Sequence, residues 1–391
     1  MFVMELPQSV RTILSVLRDN GHRGVLVGGC VRDACLGYAP HDFDIATDAT
    51  PPQMQQAFRD FRVLETGLRH GTLTVLIGHE PFEVTTFRID GDYPDHRHPE
   101  NVTFTTRLED DLARRDFTVN AMAYDGATLI DPFGGQADIQ RRVLRCVGDP
   151  ATRFTEDGLR ILRALRFAAV LGFSVEPQTA EAVRRQRELL SKIAVERLYA
   201  ELKKLLAGKN AFAVLRSFAD VLRVFLPELS DSGIQAVEKT GEDWLLRLAL
   251  LLCSADAEAA LQNLRAEKKT VRAVLQLHTT ELTDARHLLA SLPSEQAFRR
   301  VDFAAARGEI SAEAADRLRA ELRQLADEKP CLSLRELAVN GRDLEALGLC
   351  GREIGQALAL LLEEVLSGRL RNDRKTLLGE IERRQRQRSP I

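Results

Sequence analysis

Apolar residues recur at Val10, Ile13, Leu14 and Leu17, the spacing of one helix face, and Gly21 stands where such a helix would end. The run GVLVGG (24–29) predicts a short strand entering a turn, CVRDACLG (30–37) a short helix, and DFDIAT (42–47) a second strand. Thr50 and the two prolines after it predict a capped helix over TPPQMQQAF. TLTVLI (72–77) and PFEVTTFR (81–88) read as strands paired around the GHE turn. The segment IDGDYPDHRHPEN (89–101) is polar, with two prolines and a glycine, and predicts a mobile loop.

After DPFGGQADI (131–139) the pattern changes. From 155 onward the chain reads as helix after helix, with breaks near 172–177, 207–210, 227–233 and 329–333. No fixed-period repeat is visible, which argues against a solenoid. The 391 residues allow two or more domains. The expected architecture is an N-terminal α/β domain of about 140 residues and an all-α remainder.

Composition alters this picture little. Charged and apolar fractions are those of an ordinary globular protein. No stretch of 18 residues lacks charge, so no membrane span is expected. The most apolar run, LLRLALLLC (245–253), contains Arg247 and reads as a buried helix. No basic segment precedes an apolar run at the N-terminus, so a cytoplasmic location is expected. The six cysteines form no C-x-x-C pair and read as reduced and mostly buried; a zinc site on Cys30 and Cys35 would lack a second pair. Net charge is −3, yet the charge is clustered: 141–170 holds seven arginines against three acids, and 369–388 eight Lys or Arg against three. Each cluster could be a solvated helix face or a nucleic-acid contact.

The candidate chemistry lies in LVGGCVRDACLGYAPHDFDIAT (26–47). Alternation along a strand would put Asp42 and Asp44 on one face. Two carboxylates so close are tolerated when solvated or when a cation lies between them, and Mg²⁺ takes oxygen ligands while keeping waters and phosphates. Gly28 and Gly29 open a helix whose first N–H groups suit phosphate. Together these describe a site for a magnesium–nucleoside triphosphate; a solvated strand edge beside an ordinary turn is the alternative. Glu83 could lie beside the DFD strand and add a third carboxylate, or be a surface glutamate.

GGCVRD followed by HDFDIAT resembles the head signature of the class II nucleotidyltransferases, whose fold is of the polymerase-β type. LEDDLARRDFTVNAMAYD (108–125) resembles their second motif and DPFGGQADIQRRVLRCVGDP (131–150) their link to the neck. RFTEDGLRILRALRFAAVLGF (153–173) resembles the nucleotide-template helix, ERLYAELKKLL (196–206) the motif after it, and 339–378 the tRNA-binding tail. The resemblance runs from about residue 20 to 380, weakest over 210–330, and identifies the family as the bacterial tRNA nucleotidyltransferases that add CCA.

The resemblance implies an α+β head of the polymerase-β type over 1–140, followed by an all-α neck with the template helix over 141–206, body over 207–330 and tRNA-binding tail over 331–391. It assigns Asp42 and Asp44 to catalysis and Mg²⁺, and Gly29, Arg32, Arg115, Asn120, Asp157, Arg160, Arg163 and Arg166 to the nucleotide. Asp157 and Arg160, three apart in one helix, would share a face. A carboxylate accepts from the exocyclic amine of cytosine or adenine and the arginine donates to a ring acceptor; uracil and guanine present the opposite polarity, at a cost of roughly 1–3 kcal/mol per unsatisfied group. The implied reaction is CCA addition to tRNA from CTP and ATP. By the same resemblance, CC-adding members shorten the loop between the first and second motifs, and FRIDGDYPDHRHPENVTF (87–104) looks full length, which disfavours CC-only addition; A-addition alone stays open, and no long basic extension points to poly(A) polymerase. His278 and His287 are not followed by Asp, and the one His-Asp pair, His41–Asp42, lies in the catalytic motif, so no phosphohydrolase activity is expected. A retired, non-catalytic RNA-binding scaffold would require loss of an aspartate, and both are present.

Overall fold

The structure, a computed structural model, describes residues 2–388 except 41, 66, 69, 70, 92–101, 254, 255 and 329. It divides into two compact units, Met1–Leu229 with Asn263–Arg265, and Ser230–Gln262 with Ala266–Ile391.

The first unit begins with α1 (Gln8–Asp19), whose Val10, Ile13 and Leu17 are buried. The strands follow in chain order: β1 (Gly24–Val27), β2 (Asp44–Thr47), β3 (Arg62–Leu64), β4 (Thr72–Ile77), β5 (Glu80–Thr86), β6 (Arg88–Asp90), β7 (Val102–Phe104), β8 (Ala123–Tyr124) and β9 (Leu129–Ile130). Seven form one mixed sheet in the order β3-β4-β5-β2-β1-β8-β9. β2 runs antiparallel to β1 and parallel to β5, with Ile45 opposite Val84. Val25, Val27, Ala46 and Ala123 of the sheet pack with Phe87, Leu108 and Leu112 in one apolar cluster. The helices of this part are short: α2 (Gly29–Cys35), α3 (Pro51–Ala57), α4 (Leu108–Ala113) and α5 (Gly135–Arg141). Thr50 opens α3 with the expected cap, reciprocated by Gln53, whose Oε1 accepts the Thr50 amide at 2.8 Å.

Helices then take over: α6 (Pro150–Glu156), α7 (Leu159–Leu171), α8 (Pro177–Arg185) and α9 (Val195–Leu206). Asp149 caps α6, accepting the Thr152 amide at 2.8 Å. α7 is buried along most of its length and packs on α9. This is the expected α+β head followed by helices.

Three details differ from the sequence reading. Ile89 and Asp90 belong to β6, which pairs with β7, so the strand signal of β5 resumes after Phe87 and the expected loop is shorter; residues 92–101 of it lie outside the described residues. The break at 172–177 contains β11 (Ser174–Val175), which pairs in parallel with β10 (Val143–Leu144), two-residue strands too short to leave a periodic signal. The seven-stranded sheet also recruits β3 as an edge.

The second unit is helical among its described residues. Trp244–Leu251 is a buried helix in which Arg247 is 4% exposed, as the apolar run predicted. One apolar cluster gathers Leu288, Val301 and Leu322, another Leu344, Leu361 and Leu377. No described helix is long and apolar enough to cross a membrane.

Candidate active site

A cavity of about 480 Å³ opens within the first unit, where β1 meets α2 and where α7 faces the segment after α4. Gly28 makes the bend between β1 and α2 with φ +75°, a conformation suited to glycine. A Cβ there would lie 3.1 Å from Arg115 Nη1 and 3.8 Å from Asp44 Oδ2, so the bare backbone sits between a cation and a carboxylate. Val27 is in register with Asp44, which places that carboxylate beside the turn.

A chain of polar contacts ties three elements around the cavity. Arg32 of α2 donates Nη1 to Asn120 Oδ1 at 2.8 Å. Asn120 Nδ2 donates to Asp116 Oδ1 at 3.2 Å. Asp116 Oδ2 accepts Nε and Nη2 of Arg163, on α7, at 2.9 and 2.5 Å. The guanidinium of Arg166 lies 3.6 Å from the centre of the Phe167 ring and pairs with Glu201 of α9 at 2.6 Å. Arg32 and Arg163 also stand over that ring, at 5.3 and 5.4 Å. Each of the three guanidiniums around this ring also has a carboxylate partner, Arg32 in Asp33 at 2.7 Å, Arg163 in Asp116 and Arg166 in Glu201.

The electrostatics follow from this layout. Burial acts to raise the Asp116 carboxyl, but Arg163 and the hydrogen bonds from Arg163 and Asn120 outweigh it and hold it below the ordinary range. Arg163 is raised, chiefly by Asp116. Arg166 is lowered by burial, against the pull of Glu201. Asp44 goes the other way. Its side chain is exposed to the cavity, yet crowding by protein raises its proton affinity; Arg115 opposes the rise and Glu83 and Asp42 add to it. A carboxylate crowded by the negative charge of its neighbours is an oxygen donor that suits a hard divalent cation keeping part of its water. Among the described residues no three His, Cys, Asp or Glu side chains converge on one point by themselves.

The same chain matches three family models: "Poly A polymerase head domain" over 25–145, "Probable RNA and SrmB- binding site of polymerase A" over 172–232, and tRNA nucleotidyltransferase domain 2 over 235–381. The CCA-adding enzyme of Limosilactobacillus fermentum is 36% identical over 391 residues, covering 95% of each chain. That of Geobacillus stearothermophilus is 36% identical over 403 residues, covering 97% of this chain and 98% of its own. This chain belongs to the CCA-adding enzyme family of tRNA nucleotidyltransferases. The Bacillus stearothermophilus CCA-adding enzyme, solved in complex with CTP, superposes with a TM-score of 0.82 at 33% identity, over 98% of this chain and 99% of that one. The Thermotoga maritima CCA-adding enzyme complexed with tRNA shares the fold, with a TM-score of 0.71 at 21% identity over 96% of each chain. Membership of a nucleotidyltransferase family suggests the use of a divalent metal.

Most residues singled out for this CCA-adding family member meet in the cavity. Gly29, Arg32, Asp44, Arg115, Asn120, Asp157, Arg160, Arg163 and Arg166 all line it. Asp42 does not. It is exposed and precedes β2, which begins at Asp44, so the two aspartates are neighbours without sharing a strand. Glu83 lies on β5, one residue before Val84, the partner of Ile45.

The expectation that Asp157 and Arg160 share one helix is corrected. α6 ends at Glu156, Asp157 is extended (φ −136°, ψ 104°), and α7 starts at Leu159. Gly158 weakens helix continuity, and the Asp157 carboxylate instead accepts the Leu159 amide at 3.0 Å. Arg160 enters the cavity already held, Nη1 by Glu156 at 2.5 Å and Nη2 by the Arg114 carbonyl at 3.1 Å.

The lining also includes Gly28, Arg114, Asp116, Phe167 and Arg197, to which the sequence reading gave no role in the nucleotide site beyond the glycine turn. Asp116 stood in RRDFT beside Arg115, where a polar residue next to a chosen arginine was a signal. Arg197 stood in ERLYAELKKLL (196–206), a stretch marked by resemblance but given no role, and Phe167 gave no signal of its own, since a Phe in an apolar helix is ordinary.

Proposed function

We propose that this protein adds CCA to the 3′ end of tRNA, without a nucleic-acid template, from CTP and ATP and with release of pyrophosphate. The observation that carries this reading is the single cavity joining the Gly28–Gly29 bend and Asp44 to Asp157 and the arginines of α7. Phosphate chemistry and base selection thus lie within reach of one nucleotide.

The roles follow from chemistry. The 3′-oxygen of the RNA bonds to the α-phosphorus as the bond to the β-phosphate oxygen breaks. Asp42 and Asp44 would hold Mg²⁺, with Glu83 near enough to contribute through its charge. Bound there, the metal would supply charge neutralisation on the phosphates and a lower pKa for the attacking hydroxyl. Gly29 offers backbone without a side chain, and Arg32, Arg115, Arg163 and Arg166 supply positive charge for the triphosphate. Asn120 holds Arg32 in place. Asp157 and Arg160 select the base, the carboxylate accepting from the amine of cytosine or adenine.

We further propose the division into head (1–140), neck (141–206), body (207–330) and tail (331–391), with tRNA held largely by backbone contacts along the helical part, and a cytoplasmic location. Shape and phosphate recognition suit an enzyme that must accept every tRNA. Substituting Asp42 and Asp44 by Ala is expected to abolish incorporation of labelled nucleotide while RNA binding persists. Incorporation by the double variant would overturn the metal assignment.

A further inference from the structure

Asp157 occupies the gap between α6 and α7, where no helix fixes its side chain. Two contacts do so instead. Oδ1 accepts the Leu159 amide at 3.0 Å, and Oδ2 faces Arg197 Nη2 at 3.4 Å. With one oxygen engaged by the first turn of α7, the direction of the carboxylate across the cavity depends on Arg197.

Arg197 lies in the first turn of α9, directly after Glu196, and Glu196 is ion-paired with Arg265. Arg265 belongs to the stretch Asn263–Arg265, which packs with the first unit although the chain on either side of it belongs to the second. Arg265 is also one of two non-glycine residues with positive φ among those described, at 52°. The chain takes that conformation as it leaves the helix Ala257–Asn263, where the Ala266 amide donates to the Leu261 carbonyl at 2.9 Å. Here the side chain reaches Glu196.

We infer that Glu196 and Arg265 are positioning residues for base selection, fixing the first turn of α9 so that Arg197 holds the Asp157 carboxylate toward the base edge. The inference rests on the reading of Asp157 as a base-selecting carboxylate. A carboxylate only accepts hydrogen bonds, and Arg197 at 3.4 Å bears on the direction in which its free oxygen points. A carboxylate free to turn would accept less well from the amine of cytosine or adenine, and the margin over uracil and guanine would narrow. The pair acts through Arg197, so its loss affects choice of nucleotide more than the chemical step. The Arg265 and Glu196 side chains are 68% and 55% exposed, so removing the pair leaves the packing of α9 intact.

The test compares kcat/KM for CTP and UTP on a tRNA lacking CCA, together with the thermal midpoint, in the full-length protein. Arg265→Gly keeps the positive φ and removes the cation; Glu196→Gln removes the anion; Arg265→Lys retains the charge. The expected result is a roughly two- to fivefold loss of C-over-U preference in Arg265→Gly and Glu196→Gln, the most that so exposed a pair can carry. In both, kcat for CTP stays within about twofold and the midpoint is unchanged, while Arg265→Lys recovers most of the preference. An unchanged preference in Arg265→Gly would overturn the proposal. So would an equal fall for both nucleotides with a lowered midpoint, which marks a purely structural pair. A wild-type chain that adds nucleotides with no C-over-U preference would overturn the Asp157 reading itself, and this inference with it.

Discussion

Asp116 is 8% exposed and meets Arg163 through two hydrogen bonds to one oxygen. Burial raises its proton affinity, but Arg163, aided by Asn120, wins and leaves the folded carboxyl below its unfolded value. The sign follows by linkage. Between the two values the unfolded chain binds more protons than the folded one, so the stabilisation is complete above the unfolded value and is lost as pH falls through the folded one. Asp116→Asn is expected to cost on the order of 3 kcal/mol at neutral pH, by leaving Arg163 without its counter-charge. The cost should shrink on acidification, as the wild type loses the same interaction. Urea unfolding of both proteins from neutral to acid pH checks this; a gap that stays constant or widens in acid would contradict it.

At the scale of elements, the cavity depends on how closely short segments approach. α5 lies so near the turn at Thr118–Asn120 that a Cβ on Gly135 would stand 2.3 Å from the Thr118 carbonyl oxygen. Backbone has nowhere to yield, and the same turn carries Asn120, the partner of Arg32. Gly135→Ala is expected to destabilise by about 1–3 kcal/mol and to lower incorporation, measured by thermal melting and initial rates. An Ala variant with wild-type melting and rate would refute the tight-contact account.

Much of this scale was legible in the sequence. β4 and β5 stood out because their alternation is long, and α3 because Thr50 and its prolines encode a cap. What stayed hidden was short or three-dimensional. The two-residue strands β10 and β11 leave no period to read. The break at Asp157 interrupts a stretch whose spacing fits one helix, and only the Leu159 amide contact shows that its carboxylate serves the next helix. The Asp116–Arg163 pair spans 47 residues of sequence, a separation that no local pattern reveals. The candidate site was therefore visible as a list of residue types in order, while the contacts that orient them required the fold.

For the whole molecule, charge is the relevant quantity. The chain carries a formal net charge of only −3, yet gathers arginine and lysine at 141–170 and 369–388. Binding of a polyanion by such local clusters releases counterions, so affinity for tRNA is expected to fall steeply with added salt, the log–log slope giving the number of phosphates neutralised. An affinity unchanged across a salt titration would mean that backbone contacts do not hold the RNA.

We propose that the one cavity holding Gly29, Asp44, Asp157 and Arg163 serves the addition of all three terminal nucleotides. The most direct measurement offers a tRNA lacking CCA, one ending in C and one ending in CC to the full-length protein with CTP, ATP or both. The expected products are CCA completed on the first RNA when both nucleotides are present, CC with CTP alone, and a single A on the CC-ended RNA with ATP. Addition of A to the CC-ended RNA alone, or long A tails on any of the three, would contradict the proposal.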